Sequence, residues 1–422
     1  MDFKRDMRLL AERARDAART LAKLDSAAKN VLLQAMADGI EKNGARIRSA
    51  NAEDLAAGRA AKLSTAMLDR LTLTDKGITD MAKAVRAVAD LPDPVGNSIG
   101  EWVRPNGIRI RKVRVPLGVI LIIYESRPNV TADAACLCFK AGNAVILRGG
   151  SEAIHSNLAI AEAMSVAGLP ANSITVVSTS DRAAVDELLK LDELINLCIP
   201  RGGEGLIRAV AERSRIPVIK HYKGVCHVFV DRDADFEMAQ SIVVNAKCQR
   251  PGVCNAIETL LIDEKIADQF VPIIVRALAE RKVELRGDVR AQEIVRRSAG
   301  LPAGVVKPAT EDDWYAEYLD LILAVRVVDG VGEAIDHITR YGSAHSDAIV
   351  TRNQVTAEKF LREVDSSSVF WNASTRLADG GEYGLGAEIG ISTDKLHARG
   401  PMGLEELTSY KFVVVGNGQL RQ

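Results

Sequence analysis

Residues 118–124, Gly-Val-Ile-Leu-Ile-Ile-Tyr, form an apolar run with no polar interruption. A strand with one wet side alternates apolar and polar residues. This one has no wet side, so helices must cover both its faces. Runs of the same texture return at 143–148, 173–177, 195–199 and 225–230, and 216–220 is apolar again. Between them, 131–140, 151–166, 182–191 and 203–213 carry helical periodicity, with Ser151 read as an N-cap. Such a β-α-β-α series folds as a doubly wound parallel sheet. A second α/β unit begins near 231, with helices predicted at 236–247, 266–280 and 332–341 and strands at 257–262, 321–328 and 347–350.

The flanks differ in kind. The first 90 residues read as helices, at 7–24, 27–40 and 81–88, and Leu91-Pro-Asp-Pro-Val-Gly-Asn stops them. In Gly107-Ile-Arg-Ile-Arg-Lys-Val-Arg-Val-Pro116 the Ile/Arg alternation is the period of a half-exposed strand. A strand this basic is either a charged edge guarded against aggregation or an edge that pairs with another chain. The segment 378–403 is Gly-rich and aperiodic, and 408–415 is a strand suited to partner the one near residue 110.

Charge and cysteine usage remove several classes. Lys plus Arg number 55 and Asp plus Glu 56, a formal charge of -1, without the basic excess that nucleic acid or a membrane surface would select. No apolar run approaches the roughly 20 residues of a bilayer span. No apolar h-region follows the N-terminal Met1-Asp-Phe-Lys-Arg-Asp. The six cysteines are Cys136, Cys138, Cys198, Cys226, Cys248 and Cys254, four of them in core-like apolar surroundings. None forms a CxxC pair, so no metal site is predicted, and a reducing cytoplasm fits a core-rich chain with free thiols.

Four segments carry chemistry. In Asn245-Ala-Lys-Cys-Gln-Arg-Pro-Gly-Val-Cys-Asn-Ala, Cys254 lies between Gly252 and Asn255, positioned in a loop rather than packed. Its reactive form is the thiolate, which cations such as Lys247 and Arg250 favour. Cys248, at the end of a helical stretch, competes with it. In Asn143-Ala-Val-Ile-Leu-Arg-Gly-Gly-Ser-Glu152 a buried strand ends in Gly-Gly at a helix start, which offers backbone N–H groups to a phosphate. Ile199-Pro-Arg-Gly-Gly-Glu-Gly repeats that arrangement, and two such turns on one sheet suit a dinucleotide. Tyr124-Glu-Ser-Arg-Pro-Asn-Val-Thr131 lies at a strand's carboxyl end, where open α/β sheets bind ligands, and Asn129 is a candidate oxyanion donor. Finally, 334–349 gathers polar residues around His345, read as an acid or an anion donor or as a polar loop.

Several motifs extend these segments: Val115-Pro-Leu-Gly-Val-Ile, Glu125-Ser-Arg-Pro-Asn-Val-Thr, Gln249-Arg-Pro-Gly-Val-Cys-Asn-Ala, Tyr341-Gly-Ser-Ala-His-Ser-Asp, Gly381-Glu-Tyr-Gly-Leu-Gly-Ala-Glu-Ile-Gly-Ile-Ser-Thr and Ala398-Arg-Gly-Pro-Met-Gly-Leu. Nearly end to end, the chain resembles the aldehyde dehydrogenase superfamily and, within it, the γ-glutamyl phosphate reductase family. The resemblance implies an α/β, aldehyde dehydrogenase-like fold in three parts. These are a doubly wound cofactor domain (1–98 and 115–230, with a return segment at about 352–377), an α/β catalytic domain (231–351), and a small oligomerisation arm with the tail (99–114 and 378–422). It implies NADPH as cofactor and L-glutamyl 5-phosphate, an acyl phosphate, as substrate. It further implies a homo-oligomer, with transient contact to glutamate 5-kinase.

By the same resemblance Cys254 is the nucleophile and Asn129 the oxyanion donor. Arg148, Gly149, Gly150 and Ser151, with Arg201, Gly202 and Gly203, line the cofactor. Arg148 with a neutral Ser151 accommodates a 2′-phosphate, and Asp320 holds the nicotinamide ribose. Arg127, Arg250, His345 and Arg399 are candidates for the substrate's phosphate and carboxylate. Hydrolytic relatives carry a general-base glutamate before a Gly-Gly pair. Here Lys220-His-Tyr-Lys-Gly-Val-Cys-His places His221 near that point and no carboxylate. A thioester on Cys254 would then survive until hydride arrives. A CoA-acylating aldehyde dehydrogenase would share these features, and a non-catalytic scaffold of the same fold would keep the turns with an inert thiol.

Overall fold

The structure is a computed structural model that describes all residues except Met1, Ser126, Ala167, Ala303 and Gln422, and the side chain of Ala66. The chain divides into two compact units: Met1–Lys220, Gly384–Gly390 and Met402–Gln422 form the first, and His221–Tyr383 and Ile391–Pro401 the second.

In the first unit the strands are β1 (Ser98–Val103), β2 (Arg109–Pro116), β3 (Val119–Tyr124), β4 (Ala144–Arg148), β5 (Ile174–Val176) and β6 (Leu197–Arg201). Every residue of β3 is buried, as its unbroken apolar run requires. It is central in a parallel sheet of order β5-β4-β3-β6. Helices Asn129–Lys140, Ile154–Ala163 and Arg182–Leu188 supply the three crossovers, and helix Glu204–Arg213 leads from β6 to Val218, which bridges Cys198 in parallel. Ser151 does not cap the long helix expected at 151–166. A single 3₁₀ turn, Ser151–Ala153, precedes helix Ile154–Ala163. The N–H groups of His155 and Ser156 donate instead to Asp54, at 3.2 and 2.8 Å.

Asp54 belongs to Gly44–Ala60, a helix that apolar periodicity does not reveal. Its buried positions are Ile47, Asn51, Asp54 and Gly58, a proper helical stripe in which two members are polar. Those two are satisfied by tertiary partners. Asn51 donates to Leu71 O and accepts from Leu73 N, and Asp54 holds the start of the next helix.

The strand pair expected at the chain's flanks is present. Strand Thr408–Val415 runs antiparallel to β2, with Phe412 opposite Lys112 and Val413 opposite Arg111, and β1 flanks β2 on its other side. Behind this ribbon, buried Asn143 accepts from Gly118 N at 2.8 Å and donates to Leu407 O at 2.9 Å. One amide thus ties the start of β3 and β4 to the chain's return.

The second unit contains β7 (Cys226–Val230), β8 (Ile257–Asp263), β9 (Glu284–Gly287), β10 (Val306–Pro308), β11 (Ile322–Val328), β12 (Ser346–Val350) and β13 (Ser368–Trp371). All seven are parallel, in the order β10-β9-β11-β8-β7-β12-β13. Two expected boundaries shift here. The apolar run at 225–230 was assigned with the first sheet, but β7 pairs with β8 and β12. The return segment at 352–377 contributes β13 to the same sheet. An apolar strand carries no label for the sheet it joins; pairing register decides that. Short β9, with its charged residues Glu284 and Arg286, escaped the apolar pattern altogether.

Asn143→Ala leaves the partly buried Gly118 N–H and the buried Leu407 carbonyl without that partner, a loss of roughly 1–3 kcal/mol for the buried one and less for the other. Urea unfolding of the first unit should show a lower midpoint with an unchanged slope. An unshifted midpoint would remove Asn143 from the structure's supports.

Candidate active site

The seven strands of the second unit run one way, so their amino ends share an edge of the sheet. On four neighbouring strands, β11, β8, β7 and β12, that edge carries Asp320, Cys254, the segment 221–225 and His345. Residues far apart in the chain thereby meet.

Cys254 is half-buried, as is Cys248, while Cys136, Cys138, Cys198 and Cys226 are buried, and all six are free thiols. The loop that carries Cys254, between helix Phe236–Cys248 and β8, is held from several sides. Gly224 lies backbone to backbone against Cys254, where any side chain would collide with the Cys254 carbonyl. The Cys226 thiol donates to that carbonyl at 3.2 Å. Next in line, Asn255 is gripped by the turn Thr375–Leu377 and its C-cap. The Thr375 hydroxyl donates to Asn255 O at 2.7 Å, Asn255 Nδ2 donates to Ala378 O at 3.0 Å, and Arg376 Nη1 donates to Asn255 Oδ1. Arg376 Nε also donates to Gln249 Oε1 at 2.9 Å, so one guanidinium brackets the loop from 249 to 255.

The loop's two ends are joined by an ion pair, Lys247 Nζ to Glu258 Oε2 at 2.6 Å, with both side chains fully buried. Burial pushes the Glu258 carboxyl up and the Lys247 ammonium down, each against the pull of its partner. Lys247 is therefore committed to Glu258 rather than to the Cys254 thiol. Glu258 Oε1 also accepts from Leu319 N at 3.2 Å, a residue in the left-handed region at φ 54°. Nearby, Glu317 accepts from Gly224 N at 2.8 Å. The local sequence around His221 has no carboxylate, but the fold brings this one in and engages it with a backbone N–H.

The expected substrate residues divide. Arg250 is exposed and close enough to Arg376 to repel it: burial first, then Arg250, lowers the Arg376 pKa, while Asp379 and Cys254 raise it. His345 is not the anion donor expected. It is fully buried, burial and His221 hold its pKa at about 3, and its Nδ1 faces the Ser346 hydroxyl at 2.8 Å. A neutral ring packed behind the site supports rather than binds. Arg399 is engaged with Asp365 through the carboxylate at 2.7 Å and the carbonyl at 2.6 Å. Arg127 is exposed, and Asp320 is exposed with its carboxylate on Leu321 N at 2.7 Å. Arg376, Glu317 and Glu258 were missed because each acts on residues distant in the chain.

In the first unit the carboxyl ends of neighbouring strands β4, β3 and β6 carry Arg148 to Ser151, Glu125 with Arg127 to Asn129, and Arg201 to Gly203. Asn129 opens its helix, is exposed, and donates one amide hydrogen to Asp133 at 3.0 Å, which leaves the amide a second. Burial pushes Asp133 up to about 6, against that bond and the charge of Arg201. The two Gly-Gly turns do not present open helix starts. Glu125 accepts from Gly203 N at 3.0 Å and packs on Gly202, Glu152 folds over Gly150, and Asp54 takes the helix after Gly149–Gly150. Gly149 is required by packing, since a Cβ there would meet Asn157. Among the described residues no group of three or more His, Cys, Asp or Glu is arranged to hold a metal ion.

A model of the aldehyde dehydrogenase family matches residues 3–294. The chain is 59% identical over 426 residues to the γ-glutamyl phosphate reductase of Geobacter metallireducens, and 58% identical over 420 residues to that of Geotalea daltonii. All of both proteins is covered in the first case and 99% of both in the second. It matches the crystal structure of γ-glutamyl phosphate reductase from Thermotoga maritima with TM-score 0.95 and 46% identity, over 99% of this chain and all of that one. The chain belongs to the aldehyde dehydrogenase family, among its γ-glutamyl phosphate reductases.

Aldehyde dehydrogenases use a nicotinamide cofactor, and the first unit has groups that fit one. Arg148, at the end of β4, donates to Ser180 O at 2.9 Å, and its Nε is buried without a partner. Arg182 stands within electrostatic reach of it. Two guanidiniums, one ending β4 and the other opening helix Arg182–Leu188 within reach of it, suit a dinucleotide phosphate. The fit rests on these side chains, since the protein's own carboxylates occupy the helix starts.

Two outcomes follow from this geometry. Glu258→Gln strands the buried Lys247 ammonium and should destabilise the second unit by about 3–5 kcal/mol, whereas Lys247→Met with Glu258→Leu should recover most of the loss. Equal destabilisation of the single and double variants in urea would refute the pairing. Asp133 binds its proton more tightly folded than unfolded, so its stabilising contribution is full below the ordinary carboxylate range and is lost as pH rises through about 6. Asp133→Asn should flatten that fall, read as melting temperature from pH 4 to 7.

Proposed function

We propose that this chain reduces L-glutamyl 5-phosphate to L-glutamate 5-semialdehyde with release of phosphate, through a thioester on Cys254 and at the expense of NADPH. The observation that carries the reading is the segment packed on Cys254. Gly224 touches it backbone to backbone, His221 Nδ1 is on Ile391 O at 3.0 Å, and a carboxylate brought to Gly224, that of Glu317, accepts its N–H. No residue of 220–227 is a carboxylate that would activate water against a thioester.

The Cys254 thiolate attacks the acyl carbon. The new S–C bond replaces the C–O bond to phosphate, and the bonding pair leaves with the phosphate oxygen. The Cys254 backbone N–H and the Asn129 amide are the proposed oxyanion donors, each worth about 3 kcal/mol. NADPH, when bound, supplies the hydride that reduces the thioester. The thiohemiacetal then collapses, returning the thiolate and releasing the semialdehyde, which cyclises to pyrroline-5-carboxylate. Arg148, with neutral Ser151, is the proposed partner of the 2′-phosphate, and Asp320 of the nicotinamide ribose. The reaction is the second step of proline biosynthesis from glutamate. A labile acyl phosphate favours contact with the glutamate 5-kinase that makes it, the edge ribbon of β1, β2 and Thr408–Val415 suits a homo-oligomer, and free thiols suit a reducing cytoplasm.

The reverse reaction tests this. With NADP⁺, pyrroline-5-carboxylate and phosphate, NADPH should form only when phosphate is present, and Cys254→Ala should lower kcat/KM at least about a thousandfold. Turnover that requires CoA instead of phosphate would assign the chain to CoA-acylating chemistry. Unchanged turnover in Cys254→Ala would exclude the thioester.

A further inference from the structure

The structure assigns Arg376, with Arg250, as the site for the phosphate of the acyl-phosphate substrate. This assignment rests on the reaction proposed above and names a residue for it.

Arg376 lies over 100 residues downstream of the loop it serves, in a turn whose sequence, Asn372-Ala-Ser-Thr-Arg-Leu, has no periodic or charged pattern to single it out. Its place is set by contact. The guanidinium holds Gln249 on one side of the nucleophile and Asn255 on the other. Thr375 and Ala378 bind Asn255 as well, so the turn is fixed to the residue that follows Cys254. Asn255 is buried, and the half-buried Arg376 therefore has little freedom to move away.

A guanidinium has five N–H donors in a rigid plane, and these two bonds engage two of them. Within electrostatic reach of it is the exposed guanidinium of Arg250, from the loop that Arg376 brackets. Placing two such cations near each other costs free energy in the free protein, since burial and Arg250 both disfavour charge on Arg376. An anion bound between them relieves that repulsion. The Cys254 sulfur is within the same electrostatic neighbourhood.

Connectivity decides which anionic group of the substrate this is. The phosphate is bonded to the carbon that Cys254 attacks, so it stays beside the sulfur throughout the step. The α-carboxylate lies at the far end of the glutamyl chain. A cation anchored to the residue adjoining the nucleophile therefore meets the phosphate. It gains most from contact as the C–O bond breaks and the phosphate oxygen takes the bonding pair.

Two readouts separate this assignment from the reaction it rests on. The first needs no turnover: alkylation of Cys254 by neutral iodoacetamide, followed by peptide mass mapping, with inorganic phosphate as the probe. Phosphate should slow alkylation of wild-type Cys254, and Arg376→Gln and Arg250→Ala should each need about tenfold more phosphate for the same protection. Arg250 is exposed, so its variant keeps the fold if Arg376→Gln loosens the loop. The second is the reverse reaction, in which both variants should raise the KM for phosphate and leave the KM for pyrroline-5-carboxylate within about twofold. Absence of phosphate protection in the wild type, equal protection in both variants, or a rise confined to the KM for pyrroline-5-carboxylate would overturn the assignment. Phosphate protection that depends on both arginines, in a protein whose turnover does not use phosphate, would support the anion site and refute the reaction.

Discussion

A parallel strand buried on both faces leaves only its ends for polar side chains, and both units of this chain are organised by that constraint. In the first, β3 is buried at every position, and the candidate residues gather at the carboxyl ends of β4, β3 and β6. In the second, β7, β8 and β12 are equally dry, and Cys254, His345 and the segment 221–225 occupy amino ends. Chemistry at strand ends is then a consequence of covering the sheets with helices.

Holding a half-buried thiol at a strand end raises a second problem, because loops there have little packing of their own. The Cys254 loop meets it with polar contacts from distant segments. A buried Lys247–Glu258 pair closes its base, Gly224 and Cys226 fix its main chain, and the turn at 375–378 grips Asn255. Buried charges and amides are costly unless fully partnered. These are partnered by groups whose positions the rest of the sheet sets. The loop's geometry is thus coupled to the packing of the whole unit.

Much of this was legible locally. The parallel sheets, a loop rather than a packed strand at Cys254, the four core-like cysteines and the pairing of Thr408–Val415 with β2 follow from hydrophobic period, loop residues and strand alternation. Other features were not, for physical reasons. The helix Gly44–Ala60 buries Asn51 and Asp54 in its core-facing stripe, so an apolar count misreads it. The Gly-Gly turns look like phosphate sites until Glu125 and Asp54 are seen to fill their helix starts from 78 and about 100 residues away. His345 reads as an acid until its burial makes charge too costly to hold.

By itself the sequence determined the local alphabet: which segments are strands buried on two faces, which thiol lies in a turn, and which family's motifs the chain carries. Those depend on short-range periodicity and on residue chemistry. Tertiary structure alone decided that 225–230 and 352–377 build the second sheet, that Lys247 belongs to Glu258 rather than to the thiol, and that Arg376 stands beside Cys254. Strand order, and the desolvation that sets a charge's partner, depend on which distant groups share a buried space. No local pattern records that.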